Sequence, residues 1–286
     1  MLATDSGPVV QVEGRRVGIT TTGDGPPVVL LHGWPQHWWT WRALMPLLAA
    51  AGYRAIAPDM RGFGWSEPTP RGYRKEELAD DVAGILDALD LDRVSLAGQD
   101  WGGVVGFLVC LNHSDRVQRF VPMNTGHVWP TLSLKGVPKQ LGAMAYQGLL
   151  ASPVIGRRIN ASPRIVGKVV GSITKQTDAV MPQFTAQFAP RFADPARARA
   201  ASQVYRTFQL YEYPRWVRGL YADRRLTTPT LWLHGLSDPF FKPGMFKDIV
   251  EHADDVRIEY LPDCGHFPQE EQPRQVADLM VDFLVP

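Results

Sequence analysis

The stretch AGQDWGG, residues 97–103, sets one carboxylate, Asp100, among Gly98, Gly102 and Gly103. Behind the apolar run VSLAG, a Gly-x-Asp-x-Gly spacing is the pattern of a strand turning at once into a helix, with the central side chain thrust out of the turn. Small neighbours are needed because the turn is tight and its central residue strained. A carboxylate held there can attack an electrophilic sp³ carbon and form an alkyl ester with the protein. The competing reading is a plain helix N-cap, a position that Asp fills well. Hydrolysis of an ester calls for a base, an acid that orients it, and donors for an oxyanion. His266 in LPDCGHFPQEE is the candidate base, and Asp238 in LWLHGLSDPFF the candidate acid. A turn residue ahead of Pro239 would look the same as the latter. His113, His127, His234 and His252 lack a comparable setting. Oxyanion donors are expected from two backbone N–H groups, those of Trp101 at the helix start and of Trp34 in HGWPQ. A cis Trp34-Pro35 bond would aim the second, and a simple turn is the alternative for that motif.

Elements must carry these groups to one place. Short apolar runs of β type recur at 28–32, 54–58, 93–97, 119–123, 230–234 and 256–261. Segments of helical period lie between most of them: 41–51, 75–89, 101–112 and 272–284. In 75–89, Leu78, Val82, Ile85, Leu86 and Leu89 share one face. Strands alternating with helices predict an α/β domain with a mainly parallel sheet. Functional groups then belong at the carboxyl ends of its strands. The chain order Asp100, Asp238, His266 is the nucleophile, acid, base order of hydrolases built on such an elbow. From about Asn124 to about Thr228 no further central strand is evident, an interval far too long for a connecting loop. It contains helical-looking pieces at 142–150 and 195–211, and its Trp, Phe and Tyr content speaks against disorder. The expected division is a core of 1–125 and 228–286 with a helical cap, or lid, of 126–227.

Taken together, HGWPQHWWTWR, APDMRGFGWSEP, GQDWGG, GLSDPFF and DCGHFPQEE resemble the α/β-hydrolase fold, in the branch of epoxide hydrolases and haloalkane dehalogenases that uses an aspartate nucleophile. The resemblance runs along essentially the whole chain. No serine elbow competes, since GWSEP and GLSDP lack the second glycine. The resemblance implies Asp100 as nucleophile, His266 as base and Asp238 as the acid orienting it. It also implies an oxyanion hole of the Trp34 and Trp101 amides, and a pocket walled by Trp34, Pro35 and Trp101. The two branches differ at the leaving side. A halide needs donors but no proton, whereas an epoxide oxygen becomes a basic alkoxide that wants one. A tyrosine with a pKa near about 10 can supply it. Epoxide hydrolases carry two such tyrosines on the cap, and Tyr205 in SQVYRTFQ and Tyr146 in AMAYQGLL resemble them. Interfacial packing is the alternative for each, as for Tyr211, Tyr213 and Tyr221. Trp34 suits the epoxide hydrolase form of the HG motif, while Trp129 and Trp216 keep a dehalogenase open. The arginine that fluoroacetate dehalogenases place after the nucleophile is replaced here by Trp101. The resemblance thus implies epoxide hydrolysis to a vicinal diol. The alternatives are haloalkane dehalogenation and a non-catalytic ligand-binding protein on the same scaffold.

Bulk properties narrow the partners. At 286 residues the chain can bury roughly three quarters of its unfolded surface without staples. A net charge of +1 offers no nucleic acid or anionic membrane an electrostatic partner. Two cysteines make no disulfide framework, so a reducing, cytoplasmic setting is expected. The opening residues lack a basic and then apolar signal pattern, and no apolar run is long enough to span a bilayer. No metal or organic cofactor is expected, because acid, base and nucleophile are all side chains. The expected partner is a small lipophilic epoxide, and a homodimer is allowed.

Overall fold

The computed structural model describes residues 9–130, 146–246 and 249–284. Its frame is an eight-stranded sheet in the order β1-β2-β4-β3-β5-β6-β7-β8. The strands are β1 (Val9–Val12), β2 (Arg15–Thr22), β3 (Pro27–Leu31), β4 (Arg54–Pro58), β5 (Val94–Gln99), β6 (Val117–Met123), β7 (Thr230–Gly235) and β8 (Val256–Leu261). β1 runs antiparallel to β2 and β2 antiparallel to β4, and every other pair is parallel. Each of the six expected strands is present, within a few residues of its expected ends. The β1–β2 hairpin was not expected. Only Val12, Val17, Gly18 and Ile19 of its two strands are buried, and Glu13 and Gly14 turn it with positive φ at both positions.

The central strands carry apolar side chains to both faces and are buried throughout, β5 at all six positions. Helices cover them: α1 (Met45–Ala50), α2 (Lys75–Ala88), α3 (Trp101–Asn112) and, at the end of the chain, Pro273–Leu284. α2 buries Leu78, Val82, Ile85 and Leu86, the predicted stripe, whereas α3 is buried from Trp101 to Leu111. The helix expected over 41–51 is divided. A 3₁₀ turn at Trp38–Trp41 precedes α1, which starts late because Pro46 occupies its first turn.

Between β6 and β7 the described residues form no named strand. Residues 146–151 are helical (α4), followed by α5 (Ile155–Asn160), α6 (Pro163–Ile173), α7 (Thr177–Gln183), α8 (Pro195–Thr207) and α9 (Tyr213–Val217). Part of the helix expected over 142–150 lies outside the described residues. The Pro195–Tyr211 piece is α8 running into a π turn at Phe208–Glu212. The chain closes with α10 (Ile249–His252), α11 (Pro268–Glu271) and α12 (Pro273–Leu284). Among the described residues no helix is long and apolar enough to cross a membrane, and no cluster of His, Cys, Asp and Glu could hold a metal ion.

Candidate active site

The strand order reverses at β3, whose neighbours are β4 on one side and β5 on the other. At such a switch point the loops leaving two adjacent parallel strands part and open a crevice at their carboxyl ends. Register then dictates who meets there. Leu31 pairs with Gly98, so Gly33 and Asp100, two residues further on, face each other. A side chain on Gly33 would collide with the Asp100 carboxylate, and one on Gly98 with the backbone of Gly102. Glycine is therefore required at both, and the elbow closes tightly enough to hold Asp100 at φ 53°, ψ −122°. Asp100 precedes α3 but makes no side-chain capping bond, which removes the N-cap reading. Its Oδ1 instead accepts the Trp34 N–H at 2.9 Å, and its Oδ2 lies 3.6 Å from His266 Nε2.

The Trp34 amide is itself aimed. His32 Nε2 accepts the Met60 N–H at 2.9 Å, so the ring's proton sits on Nδ1 and is given to the Gly33 carbonyl at 3.0 Å. Burial, opposed by the Gly33 bond and the charge of Asp100, lowers the His32 pKa to about 4 and keeps the ring neutral for this double role. The Trp34-Pro35 bond is cis. The Trp34 indole is fixed separately, Nε1 donating to Asn160 Oδ1 at 2.7 Å, and Asn160 in turn donates to Gly156 O and Ser202 Oγ. Asn160 carries no sequence signal, being one polar residue at the end of a short helix of the β6–β7 segment.

His266 and Asp238 arrive on the loops after β8 and β7. Asp238 Oδ2 bonds His266 Nδ1 at 2.8 Å, while its Oδ1 accepts the Phe240 N–H at 2.7 Å. The turn role and the orienting geometry thus coexist, one oxygen each. The base loop is pinned by its neighbours. Gln99, beside Asp100, donates to His266 O at 2.9 Å, and Asn124 donates to Gly265 O at 2.6 Å while accepting the Gly235 N–H at 2.8 Å. Phe240 stands edge-on to the imidazole and Phe241 lies nearly parallel to it. Burial alone would lower the imidazolium pKa, but Asp238 first, then Asp100, outweigh it and raise the value from 6.5 to about 10. Among the other histidines, His113, His127 and His252 take no part in this cluster. His234 lies fully buried at the end of β7, close enough to feel the Asp238 charge but not bonded to it.

Above Asp100 stand two tyrosines. Tyr205 is placed by α8, which Pro195 and the Asp194 cap onto Ala196 N–H begin. The far end of α8 is held by the buried ammonium of Lys75, which donates to Val204 O and pairs with Glu212 at 2.8 Å. The Tyr205 ring stands edge-on to Trp34 and Trp101, with centroids 5.9 and 5.2 Å away. Tyr146 stands edge-on to Trp34 at 6.3 Å and stacks on Phe240 at 5.8 Å. The Tyr146 hydroxyl is buried without a hydrogen-bond partner among the described residues. Burial, reinforced by the negative charge of Asp100, raises both phenols above their ordinary value, so each keeps its proton beside the carboxylate. Tyr211, Tyr213 and Tyr221 stay outside this group. Trp129 is likewise occupied elsewhere, its Nε1 bonded to Tyr221 O at 2.7 Å, and Trp216 packs between Phe208 and Tyr221. Pro35 is buried next to Trp34.

Asp100, His266, Asp238, the Trp34 amide, Tyr146 and Tyr205 therefore lie together at one place. A model of the alpha/beta hydrolase fold family matches residues 26–273. A soluble epoxide hydrolase of Corynebacterium sp. (strain C12) is 29% identical over 287 residues, covering 96% of each chain. A 2-hydroxymuconate semialdehyde hydrolase of Pseudomonas sp. (strain CF600) is 30% identical over 283 residues, 95% of this chain and 91% of the other. Among solved structures, epoxide hydrolase CorEH without ligand superposes with a TM-score of 0.84 at 26% identity, over 96% of this chain and 97% of that one.

Proposed function

The chain belongs to the alpha/beta hydrolase fold family, and within it we propose that it is an epoxide hydrolase working through a covalent ester on Asp100. The observation that carries this reading is the pair of buried, protonated phenols close enough to Asp100 to feel its charge, above all the Tyr146 hydroxyl, which has no partner among the described residues. An epoxide oxygen bound by both would satisfy them. Residues 126–227 then serve as the cap that brings Tyr146 and Tyr205 over a core of 1–125 and 228–286.

In the first step Asp100 Oδ2 attacks the less hindered epoxide carbon. Oδ1 stays on the Trp34 amide, so the attacking oxygen is defined in advance. As the C–O bond breaks, Tyr205 or Tyr146 gives its proton to the departing oxygen. Forming the ester removes the Asp100 charge, one of the two that hold the imidazolium of His266 protonated. The ring then gives up its proton, which by way of solvent restores the phenol left as phenolate by ring opening, and becomes a base when a base is needed. Oriented by Asp238, it takes a proton from water, whose oxygen attacks the ester carbonyl. The amides of Trp34 and Trp101 hold the oxyanion, and collapse frees a vicinal diol. The substrate is a small lipophilic epoxide, in keeping with a site walled by Trp34, Pro35, Trp101 and Phe240, and no cofactor takes part.

In ¹⁸O-water, a single turnover should give unlabelled diol and leave the label in Asp100. Label mainly in the first diol would refute the ester. With His266→Gln the ester should accumulate and be seen as a mass increase on the peptide containing Asp100.

One observation favours haloalkane dehalogenation as a second reading. Trp101 Nε1 is buried with no more than a weak bond to the Tyr205 phenol, and so could be turned to a halide. The Trp34 indole is committed to Asn160, however, which leaves such a site a single indole. Halide release from bromoalkanes without diol formation from epoxides would select the dehalogenase.

A further inference from the structure

Five residues after His266, at the end of α11, the carboxylate of Glu271 is buried, and among the described residues no cation pairs with it. Its bonds are instead to four backbone N–H groups. Oε1 accepts from Phe267 at 3.1 Å, and Oε2 accepts from Gly265 at 3.0 Å, Lys175 at 2.9 Å and Gln176 at 3.0 Å. Two of these donors flank His266 in the chain, and two belong to the turn that follows α6 in the β6–β7 segment. A third link joins the same two pieces, since His266 N–H donates to Ile173 O at 2.9 Å. The approach leaves no slack. A Cβ on Gly265 would come within 2.6 Å of Lys175 N, 2.7 Å of Ile173 O and 2.8 Å of Glu271 Oε1.

We propose that Glu271 is the positioning residue of the base: its carboxylate clamps the peptides on either side of His266 to residues 173–176 and so fixes the imidazole for attack on the ester. The inference rests on His266 being the base of the second step. A carboxylate suits the place because it accepts at both oxygens, and hydrogen bonds to an ionised acceptor are the strong ones. A glutamine would turn an NH₂ donor toward N–H donors on one side. Glu271 touches neither Asp100 nor the tyrosines, so its effect should fall on ester hydrolysis and spare ester formation. Supporting groups of this kind hold a reacting group to within a fraction of an ångström, and looseness on that scale is costly to the step concerned.

In a two-step scheme kcat/KM reports formation of the ester, while kcat reports its hydrolysis when that step is slow. In Glu271→Gln, kcat and KM should therefore fall together by about tenfold or more, with kcat/KM within about threefold of the parent. The ester should also become visible on Asp100. Glu271→Asp keeps the charge but shortens the reach, and should show the same split to a smaller extent. It carries the test should circular dichroism show the Gln variant unfolded. Folded variants in which kcat/KM falls as far as kcat, with no ester, would overturn the clamp. His266→Gln run alongside separates the two readings. Absence of ester there defeats the covalent mechanism itself, whereas ester in His266→Gln and none in the Glu271 variants defeats only the role of Glu271.

Discussion

The floor and the roof of the site are built by different physics. The floor, Asp100 with Trp34, Asp238 and His266, is held by directional hydrogen bonds from backbone amides and buried polar side chains. The roof, Tyr146 and Tyr205, is held by the edges and faces of aromatic rings, and the Tyr146 hydroxyl has no partner among the described residues. Charge must be stabilised where it is needed, so the floor is polar and bonded at the Trp34 amide, at Asp238 and at His266 Nδ1. A phenol that is to give up a proton only at the transition state must be kept neutral until then, and an apolar surround close to a negative carboxylate does that. On the proposed mechanism the difference gives each side its own step, which can be tested.

The largest effect is expected on the roof. Tyr205→Phe should lower kcat/KM for an epoxide by about 10²–10⁴-fold, the usual worth of a positioned acid. Tyr146→Phe should cost less where Tyr205 remains, and together the two changes should nearly abolish ring opening. Pre-formed ester should still hydrolyse at the parent rate in both. Equal losses in both steps, measured by rapid-quench turnover, would erase the division between floor and roof.

An intermediate effect concerns charge on the floor. In the parent chain the His266 imidazolium should titrate near about 10. Asp100→Asn mimics the lost charge of the ester and should shift that titration downward, as read from imidazole resonances by NMR. Because the folded value lies above 6.5, the stabilisation tied to this proton is complete below about pH 6.5 and is lost as pH rises through about 10. The variant should therefore show a weaker loss of stability over that interval. An unmoved imidazole titration would remove the electrostatic link between ester formation and activation of the base.

The smallest effect is expected where roof meets floor. Asn160→Ala leaves the Trp34 Nε1–H buried without its acceptor, a cost of about 1–3 kcal/mol in unfolding free energy. Urea unfolding should show it, with kcat/KM changed less than in either tyrosine variant. Undiminished stability would mean that the Asn160 bond contributes nothing net.

Much of the floor is legible in sequence because it is local. The glycines around Asp100, the HGWP turn and the short loops carrying Asp238 and His266 each need particular residues within a few positions of one another. The strands and α2 and α3 are legible for the same reason, since burial on one or both faces writes a period into the chain. The β1–β2 hairpin escaped notice, because an edge strand facing water has no continuous apolar run. The roof is legible only in part. Tyr205 and Tyr146 could be nominated through the family resemblance, yet nothing local separates them from Tyr211, Tyr213 or Tyr221. Asn160 and Lys75 gave no signal, because their partners, Trp34 and Glu212, lie more than a hundred residues away in the chain.

By itself, then, the sequence determined the α/β architecture, the elbow, and the identity and order of Asp100, Asp238 and His266. Strong backbone constraints and short-range periodicity demand particular residue types. Tertiary structure decided that Asp100 caps no helix, which of its oxygens is held by Trp34, which phenols stay protonated above it, and how Glu271 fastens the base loop to residues 173–176. Those outcomes depend on register across the sheet and on burial between distant segments. Both arise when the chain packs, and neither is written in any one stretch of it.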